Sequence, residues 1–435
     1  MSSSQVIICG FAMAILLGSF LLMLPISVRG EGGASFPDAL FTAASAICVT
    51  GLVVHDTATY WTEFGQAVIL LLIQIGGMGV VTVAVSIAMI SGRKIGLMQR
   101  SIMQEAISAP QVGGIVRLTS FILRVTFAIE LLGAVLMAPI FIGEFGPARG
   151  LWYAVFHSIS AFCNAGFDLM GIRENYSSLT SFSSCAVINL TVMALIITGG
   201  IGFLTWNDVR EKKWHLKKYR MQSKIILTVS AALIVFPAVY FYFGELAGYP
   251  VKERVLGALF QAVTPRTAGF NTLDLTGFSE AGLAVMILLM LTGGSPGSTA
   301  GGMKTTTVAV LLASAIAVFR RREDANAYGR RIPGEVVRNA AAILLMYMIL
   351  FISGGLVISR IEGVSLLSAL FETASAIGTV GLTLGLTPGL GLISRTILII
   401  LMFFGRVGGL TLIFAAVSEK GNHGVRLPQE KITVG

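Results

Sequence analysis

Four short segments of the chain share one pattern, in which a phenylalanine, eight or nine mostly small residues and a glycine follow one another. They run Phe41–Gly51, Phe156–Gly166, Phe260–Gly269 and Phe371–Gly381. The four glycines are separated by 115, 103 and 112 residues, which indicates an internal repeat of about 110 residues. Ten residues of helix rise about 15 Å, half the thickness of a bilayer. We therefore expect each segment to be a half-helix that enters a membrane and turns back.

Such a segment can offer backbone carbonyl groups to an ion. The carboxyl end of each half-helix would point into the membrane with the negative pole of its dipole. The glycine permits a positive φ in the strand that follows, and exposed carbonyls at membrane depth require a cavity lined by protein. Four such strands around one axis could replace the hydration shell of a monovalent cation. Packing of small residues would explain a single segment, but four copies at matched positions favour an ion pathway.

The composition points to the same environment. Of 435 residues, 55% are hydrophobic and 12% charged, whereas soluble domains carry roughly 25% charged residues. This excludes ordinary soluble domains and disorder, and it indicates a helical membrane protein. The four cysteines form no CxxC pair, so neither a disulfide framework nor a zinc site is expected. No HExxH, P-loop or GxGxxG set supports an enzyme.

Eight apolar segments are long enough to span a bilayer. They are approximately Val6–Leu24, Phe64–Ile90, Ile115–Ile142, Ala186–Trp206, Ile225–Phe243, Leu283–Phe319, Ala340–Ile358 and Leu392–Val417. One short segment lies between the members of each successive pair. The sequence thus predicts an all-α membrane protein of four parallel repeats, each a helix, a re-entrant half-helix and a second helix, around a central pore. We place the repeats at residues 1–95, 96–212, 213–325 and 326–435, the last with a C-terminal tail.

Positive charge predicts the orientation of the repeats. Of the 31 lysines and arginines, 20 lie in the links between repeats and in the tail, among them Arg93, Lys94, Arg210, Lys212, Lys213, Arg320, Arg321, Arg322, Lys420, Arg426 and Lys431. Both termini and all the links should therefore be cytoplasmic, and the half-helices should enter from outside. Because the net charge of +9 is concentrated at the bilayer surface, we expect no nucleic-acid partner. The basic links could instead dock a cytosolic protein or contact anionic lipid.

The third repeat contains an unusual break. A Gly-Gly pair occurs in the second helix of repeats one and two, where it is interpreted as a tight helix contact. In repeat three it expands into the Gly293–Gly302 run, whose turn-forming residues should break the helix. Broken backbone at membrane depth must line a cavity, although a simple kink is the alternative.

Three groups of charged residues are candidates for roles near the pathway. Arg406 lies in the middle of the last span, where a charge costs at least about 2.5 kcal/mol, so it should face the interior. The carbonyls of the Gly293–Gly302 run could be its partners, or a carboxylate could; Lys304 could extend to the cytoplasm. The remaining candidates are Glu130 and Glu372 as partners of an arginine. Asp56, Asp168 and Asp274 could concentrate cations at the outer mouth or could be solvated surface charges.

The motifs CVTGL (48–52), CNAGF (163–167), TPRTAGF (264–270) and GTVGL (378–382) together resemble those of the Trk/Ktr/HKT superfamily of potassium transporters, in particular bacterial KtrB-type subunits. The resemblance implies a single-chain pseudotetramer around one potassium pathway. It places bound K+ at the filter residues Val49, Thr50, Gly51, Asn164, Ala165, Gly166, Thr267, Ala268, Gly269, Thr379, Val380 and Gly381. It places a gate at Gly293, Gly294, Ser295, Gly297, Ser298, Thr299, Gly301, Gly302, Lys304 and Arg406.

The same resemblance implies a bacterial plasma-membrane protein that forms a homodimer. Its regulator would be a cytosolic, nucleotide-binding ring of RCK type, and Na+ often modulates transport in the family; no organic cofactor is expected on this chain. The predicted function is potassium uptake through a gated, channel-like pore, as the translocating subunit of a Ktr-type system. A coupled secondary transporter, such as a sodium–potassium symporter, is the alternative, but that class usually has inverted repeats.

Overall fold

The computed structural model describes residues 2–90, 95–107, 111, 113–409 and 411–412. The predicted basic residues Arg93, Lys94, Lys420, Arg426 and Lys431 lie outside these residues. The described chain is mostly helical. Its helices are α1 (Ser3–Leu22), α2 (Phe36–Ile47), α3 (Thr57–Tyr60), α4 (Glu63–Met78), α5 (Val80–Ile90), α6 (Leu97–Ile107), α7 (Ile115–Phe145), α8 (Pro147–Phe162), α9 (Ala186–Gly200), α10 (Phe203–Lys212), α11 (Met221–Phe243), α12 (Val251–Val263), α13 (Glu280–Leu291), α14 (Thr305–Phe319), α15 (Gly334–Glu362), α16 (Leu366–Ile377) and α17 (Leu392–Val407). Strands β1 (Asn326–Ala327) and β2 (Arg330–Arg331) form one antiparallel pair.

Within the described residues, four helices are long and apolar enough to cross a membrane unbroken, namely α1, α7, α11 and α15. They contain 20, 31, 23 and 29 residues, and each is the first membrane-spanning helix of one predicted repeat. Pro139 in α7 and Pro237 in α11 leave their helices continuous, as membrane helices tolerate. Each predicted repeat therefore contains one long, unbroken apolar helix.

The predicted half-helices are α2, α8, α12 and α16, with 12, 16, 13 and 12 residues. Serine side chains cap two of them, where Ser35 and Ser365 accept a hydrogen bond from the third following amide. Pro147 opens α8, and Pro250 is the N-cap of α12. The repeated phenylalanines anchor the half-helices, because all four are fully buried: Phe41, Phe156, Phe260 and Phe371.

The four repeats close into a ring. Each half-helix packs against the second helix of the preceding repeat, so α8 contacts α4, α12 contacts α9, α16 contacts α13, and α2 contacts α17. The last of these contacts joins the fourth repeat to the first. The predicted arrangement of four parallel repeats around one axis is thereby confirmed.

The second helices are broken, which the sequence predicted only for repeat three. The chain bends by 97° between α4 and α5 and by 95° between α9 and α10. Gly79 and Gly202 form these bends with φ of 84° and 93°, and Gly408 ends α17 with φ of 90°. These are left-handed conformations that suit glycine. The predicted spans Phe64–Ile90 and Ala186–Trp206 are therefore each two helices joined at a sharp bend.

The Gly-Gly pairs nevertheless make the tight contacts that were predicted. A Cβ on Gly76 would overlap the carbonyl of Ile47, and a Cβ on Gly199 would overlap the carbonyl of Phe162. Both carbonyls belong to the end of the half-helix in the same repeat. The missing Cβ atoms let each second helix approach the half-helix at the point where it ends.

Candidate functional site

The three residues that end each repeated segment have the same pattern of positive φ angles in all four repeats. The first of the three has a positive φ although it is not glycine: Val49 (57°), Asn164 (58°), Thr267 (71°) and Thr379 (51°). The glycines are also positive: Gly51 (93°), Gly166 (69°), Gly269 (78°) and Gly381 (93°). A positive φ in a β-branched residue costs roughly 1–3 kcal/mol and is commonest at functional sites. Its presence at three β-branched positions indicates that the path of the carbonyls is held by the surrounding structure.

The four glycines form a closed ring. A Cβ placed on any of them would lie within 2.6 Å of a backbone carbonyl oxygen in the next repeat. The oxygens facing Gly51, Gly166, Gly269 and Gly381 in turn belong to Ala165, Ala268, Val380 and Thr50. The order runs from repeat one to four and back to one. We call the twelve residues 49–51, 164–166, 267–269 and 379–381 the glycine ring; only glycine fits at its four contact points.

One hydroxyl behind each segment supports the ring, and sequence reasoning missed these four. They occupy one position in the aligned segments: Ser45, Ser160, Thr264 and Ser375. The first and last accept a hydrogen bond of 3.0 Å from the amides of Gly51 and Gly381. The middle two donate to the carbonyls that follow the ring, at 2.7 and 2.6 Å. Alignment of the segments contains this signal, since every copy has Ser or Thr there.

A cavity of about 270 Å³ lies on one side of the ring, and all four ring glycines line it. Asp56 and Asp168 also line it, whereas Asp274 does not; Asp274 is exposed and caps a short turn through the Thr276 amide at 2.9 Å. Asp56 is a helix cap that accepts from the amides of Ala58 and Thr59. Two of the three predicted mouth acids thus reach this cavity, and one of those two has a structural task.

Asp168 is the acid best placed to respond to the contents of the cavity. Burial raises the pKa of its carboxyl to about 7, the Met170 amide opposes this increase, and the Asp56 carboxylate adds to it. Part of the side chain still reaches the cavity surface. Its charge therefore changes near neutral pH.

Buried polar residues fix the chain beyond the ring in three repeats. Each directly follows the repeated phenylalanine: His157, Gln261 and Glu372. The Nε2 atom of the histidine accepts from the Leu169 amide at 3.3 Å, and the glutamine donates to Asn271 at 3.0 Å. Glu372 accepts hydrogen bonds from the hydroxyls of Thr383 and Thr387. These residues position the wall of the cavity.

The predicted arginine partnership of the two membrane glutamates was wrong. Glu372 is engaged by the threonine hydroxyls, and Glu130 accepts from the Gln74 amide at 3.0 and 3.3 Å. Neither carboxylate pairs with an arginine in the described part of the chain. Neutral donors satisfy each group without a second buried charge.

The broken helix of repeat three lies against the other side of the ring. The loop doubles back so that Gly293 donates to the Met303 carbonyl at 2.8 Å. The Thr299 hydroxyl donates to the Phe162 carbonyl at 3.0 Å and lies 3.2 Å from Oδ1 of Asn164, a ring residue. A Cβ on Gly301 would overlap Thr379 in the ring. The loop is therefore in direct contact with the ring in repeats two and four.

The helix breaks of the other repeats provide acceptors and a donor for this loop. Its amides at Ser295 and Thr299 donate to the carbonyls of Gly200 and Gly199, at 3.0 and 3.2 Å. Its Gly297 carbonyl accepts from Phe203, the first residue after the bend, at 2.7 Å. Repeat four adds a bond of 3.0 Å from Gly302 to the Gly405 carbonyl. The bend in repeat two thus frees the backbone groups that hold the loop.

Arg406 joins the loop to repeat one. Its guanidinium donates to the loop carbonyl of Thr299, as predicted, and also to the carbonyls of Gly76 and Gly77, the latter at 3.1 Å. These two lie at the end of α4, where the helix dipole is negative. Lys304 donates to the loop carbonyls of Ala300 and Gly301 at 2.8 and 3.3 Å, instead of extending to the cytoplasm. Two cations therefore hold the loop through its carbonyl groups.

A four-fold ring of carbonyls and glycines, formed by parallel helix–half-helix–helix repeats, defines a pseudotetrameric cation-transport protein. Comparison with known families agrees. The model of the TrkH family, described as a cation transport protein, matches residues 11–233 and 221–424. The chain belongs to this family, which confirms the resemblance to the Trk/Ktr/HKT superfamily.

Two characterised relatives match over nearly their whole length. The potassium/sodium uptake protein NtpJ of Enterococcus hirae is 39% identical, with 100% of this chain and 98% of the relative covered. The Ktr system potassium uptake protein B of Bacillus subtilis is 40% identical, with 99% and 96% covered. The crystal structure of the potassium transporter TrkH from Vibrio parahaemolyticus has the same fold, with a TM-score of 0.76 at 20% identity over 96% of this chain and 85% of that one.

Proposed function

We propose that this chain is the potassium-translocating subunit of a Ktr-type uptake system. The closed glycine ring carries the proposal, because each ring glycine abuts a carbonyl of the next repeat and leaves no room for a Cβ. Such carbonyls can replace the hydration shell of K+. The names of the two relatives, a potassium/sodium uptake protein and a Ktr potassium uptake protein, support this substrate.

Selectivity for K+ over Na+ should be moderate. The third segment is one residue shorter than the others, and the Thr264 carbonyl accepts from the amides of both Ala268 and Gly269, at 2.9 and 3.4 Å. The turn that leads into its ring residues is therefore one residue shorter than in the other three segments. Unequal strands form fewer regular coordination sites, so sodium can be carried or can modulate transport.

The experiment is growth and ion uptake in a bacterium that lacks its own potassium-uptake systems. Expression of the chain should restore growth at low K+, and Gly381→Ser should weaken the preference for K+ over Na+. Gly389→Ser is the matched control, since no atom lies within 4 Å of a Cβ there. Unchanged ion competition in Gly→Ser variants of all four ring glycines would refute the filter assignment.

We further propose that the loop from Gly293 to Gly302, with Lys304 and Arg406, is the gate of this pathway. The loop contacts the ring on the side opposite the cavity, and both cations bind its carbonyls. Their charge would also repel K+ while the loop is in place. Gating thus requires the loop to move from the ring.

A coupled sodium–potassium symporter is the alternative, favoured by the name of the NtpJ relative. The two functions differ in how flux depends on the driving force. Symport requires a fixed Na+ to K+ stoichiometry, so K+ uptake would stop without Na+. A pore would conduct K+ down its own electrochemical gradient, and reversal potentials in liposomes distinguish the two.

The assembly proposed for this chain is a homodimer in the bacterial plasma membrane, with cytoplasmic termini and a cytosolic RCK-type ring. We divide the chain into four repeats after residues 95, 212 and 325. In this division, the basic links between repeats all lie on the cytoplasmic side of the membrane. The name of the Ktr relative refers to a system, which supports a second component. Arg320, Arg321 and Arg322 are exposed and form no ion pair with a described residue.

Reversal of charge at these three arginines should weaken co-purification of the ring and leave ion competition unchanged. Lys212 is unsuitable for this test, because it pairs with the buried Asp208 at 2.7 Å. Lys252, in the first turn of α12 at the opposite end of the repeat, provides a control reversal. Equal ring affinity with the same salt dependence would exclude the arginine patch as the dock.

A further inference from the structure

A cavity of about 450 Å³ lies between the start of α7 and the connection from α10 to α11. Arg117, Arg210 and Arg220 line it, together with apolar side chains that include Phe121. The Arg210 guanidinium lies 4.7 Å from the centre of the Phe121 ring, which holds it at the cavity by a cation–π contact. We call these four residues the arginine pocket.

The pocket carries excess positive charge. In the part of the chain that the structure describes, Arg117 and Arg210 have neither a hydrogen-bond nor an ion-pair partner for their guanidinium groups. The Arg220 side chain lies 3.7 Å from Asp208, but this carboxylate already binds Lys212 at 2.7 Å. One carboxylate, Glu211, also lines the cavity. Among the described residues, the three guanidinium groups thus face one lining carboxylate, Glu211, and the Asp208 carboxylate that Lys212 already binds.

The amino end of α7 adds to this field. Its first intrahelical hydrogen bond runs from Leu118 to Gly114, so the amides of residues 115–117 have no helical acceptor. Free amides and the positive pole of the helix dipole favour an anion. The arginine pocket therefore combines forked side-chain donors with unpaired backbone donors, a chemistry that suits the oxygens of a phosphate group.

The pocket also lies at the level of lipid headgroups. The 31 residues of α7 rise about 46 Å, close to the roughly 40–45 Å of a bilayer with its headgroup regions. Its first turn must therefore lie among the headgroups. In the nearby link, Trp214 is 94% exposed and Leu216 is 59% exposed, and tryptophan beside lysines is typical of a membrane–water interface.

We propose that the arginine pocket binds the phosphodiester headgroup of an anionic phospholipid from the cytoplasmic leaflet. Arg117 and Arg210 would take the phosphate oxygens, and Phe121 would keep Arg210 oriented. A soluble phosphate offers the same oxygens, but it lacks the acyl chains that keep a lipid at the depth of the first turn of α7. The proposal concerns a lipid site and is independent of the ion that the protein transports.

The test is a titration of the purified full-length chain in detergent with dioctanoyl phosphatidylglycerol, measured by thermophoresis. Dioctanoyl phosphatidylcholine tests the need for net negative charge, and inorganic phosphate and glycerol 3-phosphate test a soluble ligand. Phosphatidylglycerol should bind at least tenfold more tightly than each of the others. The double variant Arg117→Ala/Arg210→Ala should weaken the binding of phosphatidylglycerol about 30-fold. This corresponds to about 2 kcal/mol, since each arginine near the membrane surface contributes about 1 kcal/mol.

Arg124→Ala is the matched control. Arg124 is an exposed arginine two turns further along α7, bonded to the Ser120 carbonyl and outside the pocket. Its replacement should leave the affinity unchanged. The variant Arg117→Lys/Arg210→Lys keeps the charge without the forked donors, so it should lose only part of the affinity, and it serves if the alanine variant fails to fold.

Three results would overturn the proposal. Equal affinity for phosphatidylcholine would show that headgroup charge is not recognised. An equal loss of affinity in Arg124→Ala would show that the site is not the arginine pocket. Displacement of the lipid by inorganic phosphate at matched concentration would assign the pocket to a soluble phosphate instead.

Discussion

Replacement of Arg406 by alanine should raise the basal flux of K+, because this side chain ties the loop of repeat three to repeat one. The substitution removes three hydrogen bonds from a charged donor, to the carbonyls of Thr299, Gly76 and Gly77. Each such bond contributes about 1.5–3 kcal/mol. Because the alanine variant no longer buries a charge in the membrane, at least about 2.5 kcal/mol of this loss is offset. With bonds near the lower end of this range, about 1.8 kcal/mol each, the closed state loses roughly 3 kcal/mol net, a factor on the order of 100 in the opening equilibrium.

A second substitution in the loop shows whether both act on one closed state. Thr299→Val removes the hydroxyl that donates to the Phe162 carbonyl at 3.0 Å, at a cost of about 1 kcal/mol, or about fivefold. If the closed form is favoured about 100:1, Arg406→Ala brings the open fraction to about one half. Adding Thr299→Val then raises it to about 0.8. Thr299→Val thus multiplies the flux by less than about 2 in the Arg406→Ala background, but by about 5 in the wild-type background.

The assay is K+ uptake into potassium-depleted cells at matched surface expression, for each single variant and the double. Arg395→Ala is the control: this arginine lies on the same helix but pairs with Asp38 at 2.8 Å, away from the loop. It should leave basal flux unchanged. Independent, multiplicative gains would mean two separate barriers. If neither Arg406→Ala nor Thr299→Val raises the basal K+ flux, Arg406 has only a structural role and the assignment of the loop as a gate is refuted.

Three further outcomes are expected. Ser375→Ala removes the acceptor of the Gly381 amide and leaves a buried N–H unpaired. The free energy of unfolding, measured by thermal unfolding in detergent, should therefore fall by about 1–3 kcal/mol. K+ competition against Na+ should also weaken. Glu372→Gln keeps the shape but replaces one carboxylate oxygen by an amide NH2 group, so the Thr387 hydroxyl can only accept a hydrogen bond there instead of donating one. The variant should therefore unfold at a lower temperature, and an unchanged midpoint would contradict this role. Burial raises the pKa of Asp168 to about 7, so its carboxyl gains a proton as the pH falls through 7 and the cavity loses a negative charge. The half-saturating K+ concentration should therefore rise below pH 7 in the wild type and stay constant with pH in Asp168→Asn.

The repeated architecture could be predicted because every copy meets the same local demand. A ring glycine must lack Cβ at a carbonyl of the next repeat, and the phenylalanine before it must be buried, so both residue types recur at one spacing. The broken helix of repeat three was likewise evident from its run of turn-forming residues. In each case, the constraint selects a residue type at a fixed place within its own segment, so it leaves a pattern that the sequence alone reveals.

The bends at Gly79 and Gly202 were decided by the tertiary structure. A single glycine in an apolar helix costs only about 1 kcal/mol, so the local sequence permits either a straight or a bent helix. The bent form is favoured because distant groups use the carbonyls that it frees: Arg406 binds that of Gly77, and the Thr299 amide binds that of Gly199. These partners are separated by 329 and 100 residues, so no local pattern records them.

The partners of the buried carboxylates were also decided in three dimensions. Sequence reasoning paired Glu130 and Glu372 with arginines, because a membrane charge needs compensation. In the fold, the Gln74 amide and two threonine hydroxyls meet those carboxylates instead, while Arg406 meets carbonyls. The sequence alone determined that four carbonyl segments surround one axis. Which donor reaches which acceptor depended on how the repeats pack, since hydrogen bonds act over about 3 Å and their partners come from different repeats.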